Sequence, residues 1–302
     1  ENLQFYIAIA DDTNNSIILT SFTAERKSAV FPSLAAKFFQ LHGFEREIHE
    51  NYGIQFEGHP WLKPVRFPFN RYNQDSVIEN YPFYSIESEE LHEVGVGPVH
   101  AGVIEPGHFR FICNGEKVRH LEIQLGYQHR GIEHLMLTKN SPLQRCILAE
   151  NIAGDTAVGH ALAHAQLIEI LSEPVANETL HIERCIALEM ERIAVHIGDT
   201  AALCGDVAYQ LGQVVCEALR TTVINTTQLW CGNRFGKSLI RPGGSNFPLT
   251  EEVANNILKM LEDTGRRYVE MTDRILTLPS VLARFEDIGT VSREQALKLG
   301  LV

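Results

Sequence analysis

Ile182-Glu183-Arg184-Cys185-Ile186-Ala187-Leu188-Glu189-Met190-Glu191-Arg192-Ile193-Ala194-Val195-His196-Ile197 is the stretch on which the fold turns. Ile182, Ile186, Met190, Ile193 and Ile197 recur at offsets of 4, 4, 3 and 4. That rhythm follows the helical turn and lays one apolar stripe along an amphipathic helix. Such a stripe needs other helices to cover it, so the spacing predicts a bundle. Val207 to Trp230, Glu251 to Leu276 and Ser292 to Leu299 repeat the pattern, punctuated by Arg241-Pro242-Gly243-Gly244 and Leu278-Pro279. Helical patterning begins near Ser141.

Toward the N-terminus the period changes. Phe109 to Cys113 and Val118 to Leu125 alternate apolar and polar residues around Asn114-Gly115, a dipeptide suited to the left-handed dihedrals of a tight hairpin. Between Trp61 and Glu90 the periodicity dissolves into Pro, Asn, Tyr and acidic residues, the composition of a surface connector. Before it, Leu3 to Ile9 and Ser16 to Thr20 flank the polar turn Asp11-Asp12-Thr13-Asn14-Asn15 and read as a second hairpin. Leu34, Ala35, Phe38, Phe39 and Leu41 give Pro32 to Glu50 a helical rhythm opened by a proline. The expected fold class is α+β. A small N-terminal α/β unit covers residues 1–66, a linker 67–92, and a mainly α-helical bundle with a small antiparallel sheet 93–302.

Composition bounds the function. The 302 residues, 44% of them hydrophobic, suffice for two domains with cores. With 26 Lys and Arg against 38 Asp and Glu, the net charge of -12 removes the phosphate attraction that sustains nucleic-acid binding. Ser16 to Leu19 and Ala161 to Leu171 fall short of the ~20 apolar residues of a membrane helix. The opening Glu1 to Tyr6 shows no secretory signal, and without an initiating Met the chain reads as a fragment. Six scattered cysteines, none in C-x-x-C spacing, read as small hydrophobes of a reducing, cytoplasmic compartment.

Four segments concentrate chemistry. Phe44-Glu45-Arg46-Glu47-Ile48-His49-Glu50-Asn51-Tyr52-Gly53-Ile54-Gln55-Phe56-Glu57-Gly58-His59-Pro60 reads, on its residues alone, as a solvated helix face ending in glycine turns. Val96-Gly97-Pro98-Val99-His100-Ala101-Gly102-Val103-Ile104-Glu105-Pro106-Gly107-His108-Phe109-Arg110-Phe111 is a Gly- and Pro-rich loop with two readings. It is either fixed by its glycines and prolines, or a lip over a buried site where Glu105 or His100 relays protons. Gly126-Tyr127-Gln128-His129-Arg130-Gly131-Ile132-Glu133-His134 is, by itself, a helix start with polar contacts. In Glu150-Asn151-Ile152-Ala153-Gly154-Asp155-Thr156-Ala157-Val158-Gly159-His160, His160 shares a helix face with His164. With Ala and Leu between them and no adjacent Glu, that pair reads as packed rather than metallated, and Asp155 adds little.

These segments, with Leu188 to His196, Ile240 to Gly244 and Asp287 to Ser292, resemble one family in order and spacing. They look like two fused subunits of respiratory complex I, the NADH:quinone oxidoreductase, namely its thirty-kilodalton and forty-nine-kilodalton subunits. They look equally like the large subunits of membrane-bound, group 4 [NiFe]-hydrogenases of the formate hydrogenlyase and hydrogenase-4 type. The 44–60 string is similar to the signature of the smaller of those two complex I subunits, which implies a structural role docking neighbouring subunits. The 96–111 loop is similar to the opening motif of the larger one, and its Glu105-Pro106-Gly107-His108-Phe109 part is closer to the hydrogenases, favouring function for Glu105 and His100. Gly126 to Glu133 matches a segment shared by both branches. It implies that His129 and Arg130 approach the iron-sulfur cluster of an adjoining small subunit and raise its potential. The implied partners are that iron-sulfur small subunit, similar to the twenty-kilodalton subunit of complex I, and antiporter-like and anchor membrane subunits. The implied place is the cytoplasmic face of the inner membrane. NAD and quinone enter only by family association.

One departure bears on chemistry. The [NiFe] branch carries Glu-Arg-x-Cys-Gly-x-Cys-x-x-x-His, whose thiolates hold nickel and iron. Here Ala153 and Thr156 stand at those positions, without a ligand atom and with only a hard hydroxyl. Cys146 lies seven residues earlier, on a continuous helix about two turns or roughly 10 Å away. No metal ligand is therefore expected from this segment, and no nickel-iron centre of the usual kind. The quinone branch's second loop histidine is replaced by Ile104 and its helix tyrosine by Gly154. The expectation is an oxidoreductase subunit whose cavity is lined by Glu105, His129, Arg130 and His160, with a catalytically degenerate scaffold as the alternative. The chain stops at Gly300-Leu301-Val302, where relatives continue toward a second cysteine pair.

Overall fold

A computed structural model describes residues 1–100, 104–172 and 177–301. They form two compact units, Glu1–His129 joined by the residues from Val291, and Arg130–Thr290.

In the first unit β1 (Asn2–Asp11) and β2 (Ser16–Glu25) make the expected hairpin, antiparallel from Asn2 opposite Glu25 to Asp11 opposite Ser16. Phe5 stacks on Phe22 with ring centroids 4.8 Å apart, and Phe31 meets both edge-on. Phe31 lies in β3 (Val30–Pro32), which pairs in parallel with β4 (Gln55–Glu57) around helix α1 (His42–Tyr52). The helix expected from Pro32 thus starts ten residues later, after one 3-10 turn at Phe39–Leu41. The cause is Glu45, whose carboxylate accepts from Ser33 Oγ at 2.6 Å and Leu34 N at 2.7 Å and holds that stretch in a turn.

Three strands, β5 (His92–Val96), β6 (His108–Asn114) and β7 (Lys117–Gln124), form an antiparallel sheet in that order. Asn114 pairs with Lys117, so the turn's corners are Gly115 and Glu116, and the left-handed φ of 58° falls on Gly115. The turn dipeptide is displaced by one residue from the expected one. β5 ends at Val96, where the segment read as loop begins, and completes the sheet.

The second unit is helical: α2 (Ile132–Thr138), α3 (Pro142–Ala149), α4 (Ala157–Leu171), α5 (Glu178–Asp206), α6 (Gln210–Cys231), α7 (Glu251–Ile275) and α8 (Pro279–Phe285). A two-residue ladder, β8 (Ile240–Arg241) with β9 (Gly244–Ser245), separates α6 from α7. Helix α9 (Arg293–Leu299), capped by Ser292, belongs to the first unit. The core joins Met190 and Ile197 of α5, Leu219 and Val223 of α6, and Ile257 and Ile275 of α7.

The predicted helix at α5 exists, and of its apolar stripe Met190 and Ile197 are buried while Ile186 and Ile193 pack partly buried against the core. Its inward residues are Leu180, Arg184, Ala187, Met190, Ala194, Ile197, Ala201 and Cys204, whereas Ile182 is 53% exposed. Small residues let α6 approach closely: a Cβ on Gly212 would lie 2.7 Å from Cys204 Sγ. Among the described residues no helix is long and apolar enough to cross a membrane. The architecture is α+β.

Candidate functional site

In the second unit the structure gathers polar groups around residues 150–156. The segment is not one helix: α3 stops at Ala149, and α4 starts at Ala157. Glu150 is buried and accepts from Ser238 N at 2.8 Å and Arg241 Nη1 at 2.5 Å. Asn151 accepts Lys237 Nζ at 2.7 Å on its side chain and Arg130 Nη1 at 2.9 Å on its carbonyl. These bonds draw the chain off the helical path, so a distance counted along a continuous helix from Cys146 does not apply.

Glu191 of α5 rebuilds the far side. Thr156 supplies no side-chain cap to α4; Glu191 accepts from Val158 N at 2.6 Å and Gly159 N at 3.0 Å instead. Free N–H groups and the positive end of the helix dipole both favour a carboxylate there. Burial nevertheless pushes the Glu191 carboxyl above its ordinary range, with nearby Asp155 adding to the rise and the two amides opposing it.

The Arg241-Pro242-Gly243-Gly244 turn is anchored in turn by a buried ion pair. Arg184 donates to both Glu169 oxygens, at 3.0 and 2.6 Å, and to the Arg241 carbonyl at 2.9 Å. Gly243 N donates to Glu169 at 2.7 Å. One chain of contacts therefore runs from α4 and α5 through the turn to Glu150.

Ala153 and Thr156 sit inside this frame, and the donor set does not fit the thiolate half of a nickel-iron centre. The Cys146 thiol is buried on α3, and that burial pushes its pKa up, away from the thiolate that binds metal. Among the described residues no group of three or more His, Cys, Asp or Glu is arranged to hold a metal ion. His160 is half-buried in the first turn of α4, its N–H bonded to the Thr156 carbonyl at 3.3 Å. His164 is pushed below the usual imidazole range by burial and then by Arg145.

The other expected residues lie in the first unit. His100 bonds through Nε2 to the Gly107 carbonyl at 2.9 Å, and His108 through Nδ1 to the Gly97 carbonyl at 3.1 Å, closing the neck of the Gly-Pro loop. A Cβ on Gly97, at φ 86°, would lie 2.0 Å from the Gly107 oxygen. Glu105 is exposed, and Ala101-Gly102-Val103 lie outside the described residues. His129 is exposed, its N–H on the Gly126 carbonyl at 3.2 Å. Within the second unit, Arg130 and His160 are brought to the two ends of the 150–156 segment.

The 44–60 string is not a solvated face. Glu45 and Glu50 are buried, and Glu50 accepts from the backbone N–H groups of Val65, Arg66 and Phe67 at 2.9, 3.1 and 2.5 Å. Arg46 donates to the carbonyls of Lys63 and Pro64 at 2.7 and 3.3 Å. The string's charges fold the following chain back onto α1.

That fold places Lys63, which the sequence reading passed over, at the floor of a cleft of about 840 Å³. Lys63 is 3% exposed and donates to Glu122 at 2.8 Å and to the Ile123 carbonyl at 3.0 Å, with its ammonium 4.3 Å from the Tyr81 ring centroid. Burial lowers the Lys63 pKa against the pull of Glu122 and raises the Tyr81 phenol to about 12. No spacing in the sequence signals this pair, because β7 buries its polar face, Glu122 and Gln124, and exposes Leu121 and Ile123.

Comparison with known proteins finds two families in order along the chain. Residues 2–82 match the family of the respiratory-chain NADH dehydrogenase 30 Kd subunit, and residues 206–302 that of the 49 Kd subunit. Hydrogenase-4 component G of Escherichia coli is 26% identical across 98% of this chain and 56% of its own length. Formate hydrogenlyase subunit 5 of the same organism is 24% identical across 97% of this chain and 54% of its own. The chain thus spans about half the length of the curated relatives it matches. A chain in the structure of the membrane-bound sulfane sulfur reductase, an archaeal respiratory membrane complex, shares the fold. Its TM-score is 0.65 at 19% identity, over 71% of this chain and 57% of that one.

Proposed function

Because this chain fuses the two complex I-like parts in the manner of the group 4 hydrogenase and complex I type, we propose that it is the electron-transfer large subunit of a membrane-associated, multi-subunit oxidoreductase working without a nickel-iron centre of the usual kind. The observation that carries this reading is the 150–156 segment. It keeps a frame of Arg130, Glu150, Glu191 and Arg241 but offers Ala153 and Thr156 where a soft metal needs thiolates. In this reading His129 and Arg130 face the iron-sulfur cluster of a partner small subunit, and a cation and N–H donors there raise its potential. Glu105, His100 and His160 handle protons for a small donor or acceptor. The assembly sits peripherally on the cytoplasmic face, beside antiporter-like and anchor membrane subunits.

One observation favours a second reading, a scaffold that couples electron transfer elsewhere to ion movement. The Glu150 carboxylate and the His100 ring are spent on internal bonds rather than left to a substrate. Metal analysis of the full-length protein purified with its partners tests the shared core of both readings. Iron without stoichiometric nickel is expected; one nickel per complex would overturn it. Titration with quinones and with sulfane sulfur compounds then separates them, since a scaffold changes the rate of neither. Arg130→Ala in the intact complex should lower the adjacent cluster's potential, and an unchanged potential removes the docking assignment.

A further inference from the structure

The turn between β6 and β7 serves none of the residues assigned above to protons or electrons, yet it holds the one Asn-Gly step in the 302 residues, Asn114-Gly115. Asn114 ends β6 opposite Lys117, so Gly115 and Glu116 form the corner, and of these two only Gly115 has a positive φ, 58°. That is the mirror-image hairpin turn with glycine first. Gly115 is exposed, a Cβ there would meet nothing within 4 Å, and among the described residues no hydrogen bond takes its N–H. Neither a side chain nor a partner shields that nitrogen.

The Asn114 carboxamide is loosely held. Its Nδ2 donates to the Glu90 carbonyl at 3.4 Å, longer than the usual range for such a bond. Asn80, Asn151, Asn177 and Asn233 differ on both counts. They accept through Oδ1 from Val77 N, Lys237 Nζ, Leu180 N and Phe235 N at 2.9, 2.7, 3.1 and 2.9 Å. Each is followed by a residue whose side chain crowds the next nitrogen: Tyr81, Ile152, Glu178 and Arg234.

We infer that Asn114 is a site of spontaneous deamidation in the folded protein. The Gly115 nitrogen attacks Asn114 Cγ, the new N–Cγ bond closes a cyclic imide, the Cγ–Nδ2 bond breaks, and ammonia leaves with the Gly115 amide proton. Water then opens the imide at either carbonyl and leaves aspartate or isoaspartate at 114. Asparagine is a thermolabile side chain, and the chemistry consumes only water. Attack requires the last rung of the ladder, Asn114 with Lys117, to open. That rung closes a hairpin whose register already shifts between Ile112 and Cys113, and terminal rungs at a turn open at low free energy. Either product puts a carboxylate where Nδ2 donated, and a carboxylate only accepts. The tie from β6 to Glu90, just before β5, is lost, and isoaspartate also lengthens the main chain inside the turn that sets the β6–β7 register.

The test incubates the full-length protein with its partners for several days at mildly alkaline pH, folded and in parallel unfolded in guanidinium, and maps its peptides by mass spectrometry. In the folded sample the peptide holding Asn114 should gain the amide-to-acid mass difference before any other asparagine peptide. Hydrogen exchange at the Lys117 amide should quicken in step. Asn114→Gln keeps a carboxamide donor but needs a larger ring, and should lose the conversion. An Asn114 peptide left unchanged in the folded sample, conversion first at another asparagine, or equal conversion in Asn114→Gln would overturn the inference.

Discussion

Replacing Arg184 with Met tests the anchor beneath the 240–244 turn. Arg184 and Glu169 are 3% and 9% exposed on their side chains, and Met keeps the volume while deleting the charge. Glu169 then stays buried without its guanidinium partner, keeping the Gly243 amide and the nearby His181. Breaking a buried pair in this way costs about 3–5 kcal/mol. For a unit of about 160 residues that lowers Tm by about 6–20 °C. The pH dependence separates this cause from lost packing. Its bond to Arg184 holds the Glu169 carboxyl below the usual range despite burial. The wild-type contribution is therefore complete above the unfolded carboxyl pKa of about 4.3 and fades as pH falls through the folded value. In the variant the largest influence holding the carboxyl down is gone, leaving the Gly243 amide and His181 against burial, so Glu169 takes up a proton earlier on acidification. Urea unfolding should show the full gap at neutral pH and less than about half of it near the unfolded pKa. Glu169→Leu with Arg184→Met should recover most of the loss. A gap independent of pH, or a double variant no better than the single, would refute the assignment.

Three further changes probe the other contacts. Glu191→Gln leaves one carbonyl oxygen for the two amides of Val158 and Gly159, so one buried N–H loses its partner at about 1–3 kcal/mol and hydrogen exchange at these amides quickens about tenfold or more. Because burial raises the Glu191 carboxyl, its contribution is present below the unfolded pKa and lost as pH rises through the folded value; the Gln variant should lack that slope. Alkaline titration of phenolate absorbance should show one tyrosine ionising at about 12, and Tyr81→Phe should abolish that late step. Gly236→Ala forces a side chain onto a φ of 69° and a Cβ to 2.4 Å from Val158 Cγ2, costing about 1–3 kcal/mol in denaturant unfolding.

Local pattern was legible where local contacts decide. The β1–β2 hairpin follows from two β-rich runs on either side of a polar turn, and Asn14 bonded to the Asp11 carboxylate closes it. The α5 helix was legible in period and in most of its phase: Met190 and Ile197 lie in the core with Ile186 and Ile193 packed against it, whereas Ile182 is exposed and close helix packing adds Ala187, Ala194 and Ala201. Glu45, Glu50 and Lys63 were misread or missed because their partners lie 11 to 59 residues away, beyond any spacing rule. Arg130 was singled out only through its motif; the bond to the Asn151 carbonyl, which ties it to the 150–156 segment, is tertiary.

The same bonds hold residues 150–156 in shape without the side chains at positions 153 and 156. Residues 150–156 are held at one end by Glu150 and Asn151, through Arg241, Ser238, Lys237 and Arg130. At the other end they are held by Glu191 on the first amides of α4. None of these contacts uses the side chains of positions 153 and 156. A metal bound by thiolates contributes folding energy only where the frame depends on it; here Arg241 is fixed by Glu150, and its turn by Arg184 and Glu169, so the frame stands on ion pairs and capped helix ends. Substitution at Ala153 or Thr156 is thereby uncoupled from the fold, while substitution at Glu150, Arg184 or Glu191 is not.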